Sequence, residues 1–247
     1  MKTLLIANYW TPYNNAGTLR WWNFAKFLDF DVLTVKKTTG IIDPTLEERG
    51  NKIKRIRNFS RIAGLNGLLL SIAAFFTKAD LYIFTTPSET LLFGAYLLQI
   101  RGKKVVVDLR DQIDREHQPI KLLVPIYMFL YKRIKNVIVT WRMIDPTKIV
   151  IHHGHDNLKL KSNKKKIMPE GRFTHVEYND MLEKGYIPNY NTHGNWVKGY
   201  VTSSYVNIKH LWGDRSGLVH KELEETFFPW EHQAKLLKKY LNDVVNI

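Results

Sequence analysis

The first forty residues, MKTLLIANYWTPYNNAGTLRWWNFAKFLDFDVLTVKKTTG, constrain the fold more than any other part of the chain. An apolar run, Leu4, Leu5, Ile6 and Ala7, reads as a strand buried on both faces, and it leads into a Pro/Asn/Gly loop from Thr11 to Gly17. Leu19, Trp22, Phe24, Ala25 and Leu28 then recur at helical spacing, and Val32 to Val35 forms a second buried strand. Strand, loop, helix and strand in so short a span make a βαβ opening. That unit sets its two strands parallel and places ligands at their carboxyl ends, where loop N–H groups can meet a phosphate or a sugar.

The alternation continues downstream. Strands are predicted at 3–8, 31–35, 52–57, 80–85, 103–108, 136–140 and 148–152, and helices at 18–29, 63–77, 88–101, 121–134 and 221–242. Ser88 is the predicted N-cap of the third helix, because its hydroxyl can accept from an orphan N–H of the first turn. Only Trp141 to Lys148 separates the last two strands, too little for a crossover helix. After Asp156 the lysine run LKLKSNKKK reads as an interdomain linker. Residues 167–247 read as aromatic-rich and irregular, with GYIPNYNTHGNW as a loop and a final helix interrupted by Pro229. The expected class is α/β, a doubly wound, mostly parallel sheet with a smaller second domain, divided as 1–157 and 158–247.

At 247 residues the chain can bury one large core or two small ones. The absence of cysteine excludes disulfides, thiolate metal sites and cysteine nucleophiles, and suits a reducing cytoplasm. No signal peptide and no apolar stretch of membrane-spanning length is visible. The formal net charge of +14 favours anionic partners: nucleic acid, nucleotide phosphates or anionic lipid. Lys52 to Arg61 and Lys159 to Lys166 hold much of it, and solvated faces explain them as well as binding does.

Three constellations could carry chemistry. Asn14, Asn15 and Gly17 offer backbone to a ligand, and Arg20, one helical turn on, can present a fork to a phosphate or sugar carboxylate; an ordinary turn with a solvent-facing arginine is the alternative. Asp108, Arg110 and Asp111 end a central strand, where a carboxylate can orient an acceptor hydroxyl or act as a base; an Arg–Asp pair that pins the loop to the sheet fits equally. His152, His153, Gly154, His155 and Asp156 invite a metal reading, but adjacent strand residues point to opposite faces, so no metal site is assigned. Among the tryptophans, Trp22 falls on the core face of its helix, whereas Trp196 and Trp212 fall in loop-like segments suited to a ligand or membrane contact. Ile120 to Lys135, with an apolar body and basic ends, fits either a sheet-covering helix or one lying on an anionic bilayer. P-loop, GxSxG and HExxH templates are absent.

Three blocks, in order, resemble the glycosyltransferase family 4-like enzymes of the GT-B fold. The opening resembles their strand, Pro-rich loop, Gly-Gly, Arg, aromatic, helix pattern, with Gly17 and Arg20 matching and Ala16 replacing the first glycine. ADLYIFTTPSETLLFGAYLLQIRGKKVVVDLRDQID resembles the family's second block, and DPTKIVIHHGHDN the segment that ends its N-terminal domain. The resemblance covers roughly residues 1–157. It implies a Rossmann-like acceptor-side domain there, and an abbreviated donor side in 158–247. The implied reaction moves a sugar from a nucleotide-sugar to a glycan, lipid-linked or nucleic-acid hydroxyl, without a cofactor or resident metal. It implies a cleft lined by Asn15, Gly17, Arg20, Arg110, His153, Gly154 and Asp156, with Asp108 and Asp111 as catalytic carboxylates. GRFTHVEYNDMLEKG is similar to the element that holds the donor diphosphate, with Arg172 and Lys184 as counterparts. The family's pair of glutamates eight apart is missing from 167–247. Two other readings therefore stay open: an acceptor-binding module whose protein partner supplies the donor domain, and a basic protein of DNA or of the inner membrane face.

Overall fold

Seven segments, most of them apolar, pair into one all-parallel sheet. A computed structural model describes residues 1–13, 15–36, 42, 46–59, 64–86, 88–111, 113, 121–140, 144–154, 166–167, 171–187, 195–201, 205–212 and 229–246. Its strands β1 (Thr3–Ala7), β2 (Asp31–Val35), β3 (Ile53–Ile56), β4 (Leu81–Thr85), β5 (Lys104–Leu109), β6 (Val137–Val139) and β7 (Ile149–Val150) lie in the order β3-β2-β1-β4-β5-β6-β7. Each falls within a few residues of its predicted span. β1 and β4 are buried at every position, as central strands covered on both faces must be.

Period-two alternation divides the strand side chains between two cores. Leu4, Ile6, Tyr82, Phe84, Val105 and Val107 face α2 (Leu65–Phe75), α3 (Leu91–Ile100) and α4 (Val124–Arg133). Leu5, Ala7, Ile83, Val106 and Ile138 face α1 (Ala16–Phe24) and a helix from the far end of the chain, Trp230–Asn246. The architecture is α/β, with helices on both faces of one parallel sheet: the doubly wound, Rossmann-like class.

Local chemistry sets the helix ends. Asn15 caps α1, its side chain accepting from Thr18 N–H at 3.0 Å. Ser88 is not the cap that the sequence suggests. Its hydroxyl is 2.9 Å from Thr90 Oγ1, and α3 starts only at Leu91. Thr90 Oγ1 in turn donates to the Gly64 carbonyl, 2.9 Å away, which ties the start of α3 to the start of α2. The long final helix begins at Trp230, because Pro229 cannot continue a helix N-terminal to itself without losing a hydrogen bond and crowding the preceding turn.

The region expected to be irregular contains regular structure. β8 (Lys166–Ile167) pairs with β10 (Tyr186–Ile187), and α5 (His175–Glu183) lies between them in sequence. β9 (Gly171–Thr174), β11 (Asn195–Val201) and β12 (Tyr205–Trp212) form an antiparallel sheet in the order β11-β12-β9. Trp196 and Trp212 thus sit in paired strands rather than loops. Trp230–Asn246, here α6, follows these elements.

The short β6–β7 link replaces a helix with an aspartate turn. Asp145 Oδ1 accepts from Thr147 N–H at 2.9 Å and from its hydroxyl at 2.6 Å, while Oδ2 accepts from the Tyr131 hydroxyl of α4. Partial burial opposes ionisation of Asp145, but the bonds from Thr147 and Tyr131 hold its carboxyl below the usual aspartate range. A depressed folded-state value means stability that is present above the unfolded value and lost as pH falls through the folded one. Asp145→Asn is therefore expected to cost about 1 kcal/mol at neutral pH, discounted for solvent exposure. The gap to wild type should close below about pH 4 in urea melts taken across the pH range. A gap independent of pH would contradict it.

Candidate functional site

The strand order reverses between β1 and β4. The chain leaves β1 toward α1 on one face, and leaves β4 toward α3 on the other, which opens a crevice at their carboxyl ends. Beneath it lies Asp108, the fifth residue of β5, 0% exposed. Arg20, also 0% exposed, donates Nε to Asp108 Oδ2 at 3.2 Å and Nη2 to Oδ1 at 3.3 Å. Trp21 Nε1 adds a bond to Oδ2 at 2.8 Å and Thr85 Oγ1 another at 3.1 Å. The remaining Arg20 capacity goes to the carbonyls of His152 (2.9 Å) and Ile151 (2.7 Å). The solvent-facing arginine of an ordinary turn is therefore not what forms. Arg20 and Asp108 position the crevice from below and expose no atom to a ligand.

Of the two arginines expected to line the cleft, Arg110 is the one that reaches the surface beside Gly17. Its backbone N–H donates to Thr86 Oγ1 at 3.0 Å, and its Nε donates to the Thr86 carbonyl. The guanidinium lies flat on Gly17: a methyl group there would be 2.2 Å from Nη1 and 2.4 Å from Cζ. Gly17 is needed for this close approach, at the N-terminal end of α1. Burial pushes the Arg110 guanidinium below its ordinary value, while Asp108 and Asp111 pull it back up. A partly desolvated cation beside a helix N-terminus is stabilised by a bound anion.

Glu89 is a residue that the sequence reading missed. It is 7% exposed, on the loop after β4, and its charge is felt by both Arg110 and Tyr127. The Tyr127 hydroxyl is pushed up by burial first and by Glu89 second. The available signal was its position, four residues past the end of a buried strand. Asn8 Oδ1, Thr11 Oγ1 and Thr18 Oγ1, around the β1–α1 loop, are buried and make no hydrogen bond among the described residues.

The other expected residues scatter. Asn15 is the α1 cap and Asp111 is exposed on the loop after β5. Gly154, expected to touch substrate, is instead a packing contact: a methyl group there would be 2.5 Å from Trp230 Cα. His153 stacks edge-on against the Trp230 ring with centroids 6.2 Å apart, and His152 N–H donates to Gln233 Oε1 at 3.1 Å. His152 to Gly154 thus receive the start of α6. His155 and Asp156 lie outside the described residues. Arg172 sits on β9 in register with Asn207. Lys184 follows α5 and donates to Asp180 at 2.7 Å in an exposed pair, which holds its ammonium above the ordinary range. Among the described residues no group of three metal-ligating side chains comes together, and no helix is long and apolar enough to cross a membrane.

No family model matches the chain, and no curated protein matches it. The class is therefore defined by the fold and the site alone: a Rossmann-like α/β protein with a cationic, carboxylate-bearing crevice at the switch point of its sheet.

Proposed function

We propose that the protein is a glycosyltransferase that moves a sugar from a nucleotide-sugar to an acceptor hydroxyl. The observation that carries this reading is Arg110, partly buried and seated on Gly17 at the switch point, which suits an anionic group of the substrate. In the transfer, the acceptor oxygen bonds to the anomeric carbon as the bond from that carbon to the donor phosphate breaks. The electron pair leaves with the nucleoside diphosphate. The acceptor proton passes to a carboxylate, for which Glu89 is better placed than the enclosed Asp108. Arg110 stabilises developing negative charge, and Arg20 and Asp108 act as positioning residues.

Thermal-shift titrations with UDP, GDP, CMP and dTDP and their common sugars test this. A ligand that binds only the folded state raises the melting temperature. One base family should do so, and Arg110→Met should weaken its apparent affinity about tenfold or more. No shift with any nucleotide near millimolar concentration would sink an autonomous transferase. A second reading, an acceptor-binding module completed by a protein partner, is favoured by one finding. Lys184, the expected donor-phosphate contact, is instead paired with Asp180 at the surface.

A further inference from the structure

The three helices on one face of the sheet are apolar on both sides. Each buries one stripe against the sheet, as expected: Leu70 and Ala74 of α2, Leu91, Leu92, Ala95 and Leu98 of α3, Tyr127, Leu130 and Tyr131 of α4. Helices that cover a sheet normally carry charged residues on the outer face. Here α2 and α3 contain no charged residue, and α4 contains only Lys132 and Arg133. The outer faces instead expose Leu68, Ile72 and Phe76 along α2 and its end, Leu97 and Ile100 on α3, and Leu122, Ile126 and Phe129 along α4 and the turn before it. Phe76 is 79% and Leu122 85% exposed. Because α3 packs between α2 and α4, the stripes are neighbours on one surface. Scattered exposed leucines need no explanation, but a continuous surface on three adjacent helices does.

The surrounding charge is predominantly positive, with exposed Asp80 beside Lys78 as an acidic exception. All three helices follow strands of a parallel sheet and lead to the next, so their carboxyl ends share one edge of the layer. Lys78 follows α2, Arg101 and Lys103 follow α3, and Lys132, Arg133 and Lys135 end α4; all six are exposed. Two of them lie over the apolar surface itself. The Arg133 guanidinium is 3.5 Å from the Phe129 ring centroid and that of Arg101 is 4.2 Å from that of Phe75. Such side chains lay their stems on apolar surface and hold the charge at its rim. Residues 64–76, 91–104 and 121–136 contain no aspartate or glutamate. One cation per helix would satisfy the helix dipoles, but the dipoles do not account for the apolar outer stripes.

We infer that the outer face of α2, α3 and α4 docks on an anionic lipid bilayer, with Leu68, Ile72, Phe76, Ile126 and Phe129 in the acyl boundary and the cation belt among the headgroups. The charge selects this occupant: a second copy carries the same +14, whereas an anionic surface complements it. The helices, 11, 10 and 10 residues long, lie on the bilayer and do not span it. The contact goes beyond the proposed transfer reaction and does not depend on it.

Co-sedimentation with phosphatidylcholine vesicles containing roughly one third phosphatidylglycerol tests the docking. Wild type should pellet with these vesicles, stay in the supernatant with pure phosphatidylcholine, and partly release in high salt. The triple variant Leu122→Gln, Ile126→Gln, Phe129→Gln and the triple variant Arg101→Glu, Lys132→Glu, Arg133→Glu should each lose about tenfold or more in partition coefficient. Both change exposed positions, so their melting temperatures should match wild type; wild-type salt and lipid dependence stands in if one does not fold. Arg110→Met, at the opposite edge of the sheet, should bind vesicles normally even where it loses nucleotide binding. Failure of wild type to pellet, or full binding by the apolar variant, overturns the inference. So does a dimer in light scattering that the apolar variant dissociates without any vesicle binding.

Discussion

Asp108→Ala is expected to lower the unfolding free energy by about 3–5 kcal/mol, because it strands a buried guanidinium without its counter-charge. Asp108 accepts four bonds, two from Arg20, one from Trp21 Nε1 and one from Thr85 Oγ1. Domains hold only about 5–15 kcal/mol in reserve, so the variant should be visibly unstable or fail to accumulate. The informative comparison is a double-mutant cycle with Arg20→Met. Removing both charges should recover part of the loss, as apolar replacements of buried pairs often do. Recovery will be incomplete, since Trp21 and Thr85 then lack their acceptor. Urea unfolding reads all three variants. An Asp108→Ala protein within about 1 kcal/mol of wild type would disprove the clamp.

Gly154→Ala should cost about 3 kcal/mol, a large effect for a single methyl group. The added carbon would lie 2.5 Å from Trp230 Cα, 2.6 Å from Cδ2 and 2.7 Å from the backbone N. Backbone cannot rotate away as a side chain can, so either the strand end or the start of α6 must move. That movement disturbs a well-filled core: Trp230, Ala234, Leu237 and Leu241 are each at most 5% exposed. The same variant should speed amide exchange along α6 relative to β1 and β4, because the helix loosens before the sheet. Unchanged exchange in α6, with stability within about 0.5 kcal/mol of wild type, would show that the contact relaxes freely.

These two sites also show how far the sequence was readable. Most of the seven strands were legible because continuous apolar runs bounded by loops are local patterns, and β4 and β5 follow them closely; β3, IKRI, is not such a run. The βαβ opening predicted the crevice and its location at the strand ends. That Arg20, expected in the crevice together with Arg110, is drawn into the interior was not legible. Arg20 and Arg110 both sit near Gly17 or Asp108, and only the fold gives one to the interior and the other to the crevice wall. Glu89 was passed over because a carboxylate after a Pro-Ser turn looks solvated until α4 brings Tyr127 beside it. In the region 167–212, expected to be irregular, only β8 and β10 are too short for a period to register; β11 and β12, seven and eight residues long, are not.

The sequence by itself determined the element types of the parallel sheet and its helices, the parallel class of that sheet and the net positive charge, because periodicity and composition are properties of neighbouring residues. Tertiary structure decided the partners. The Arg20–Asp108 clamp joins residues 88 apart in the chain, and His152 meets Gln233 across 81. No local pattern encodes such pairs. They follow from which elements the sheet order brings together, and from the high cost of leaving a buried polar group without a partner.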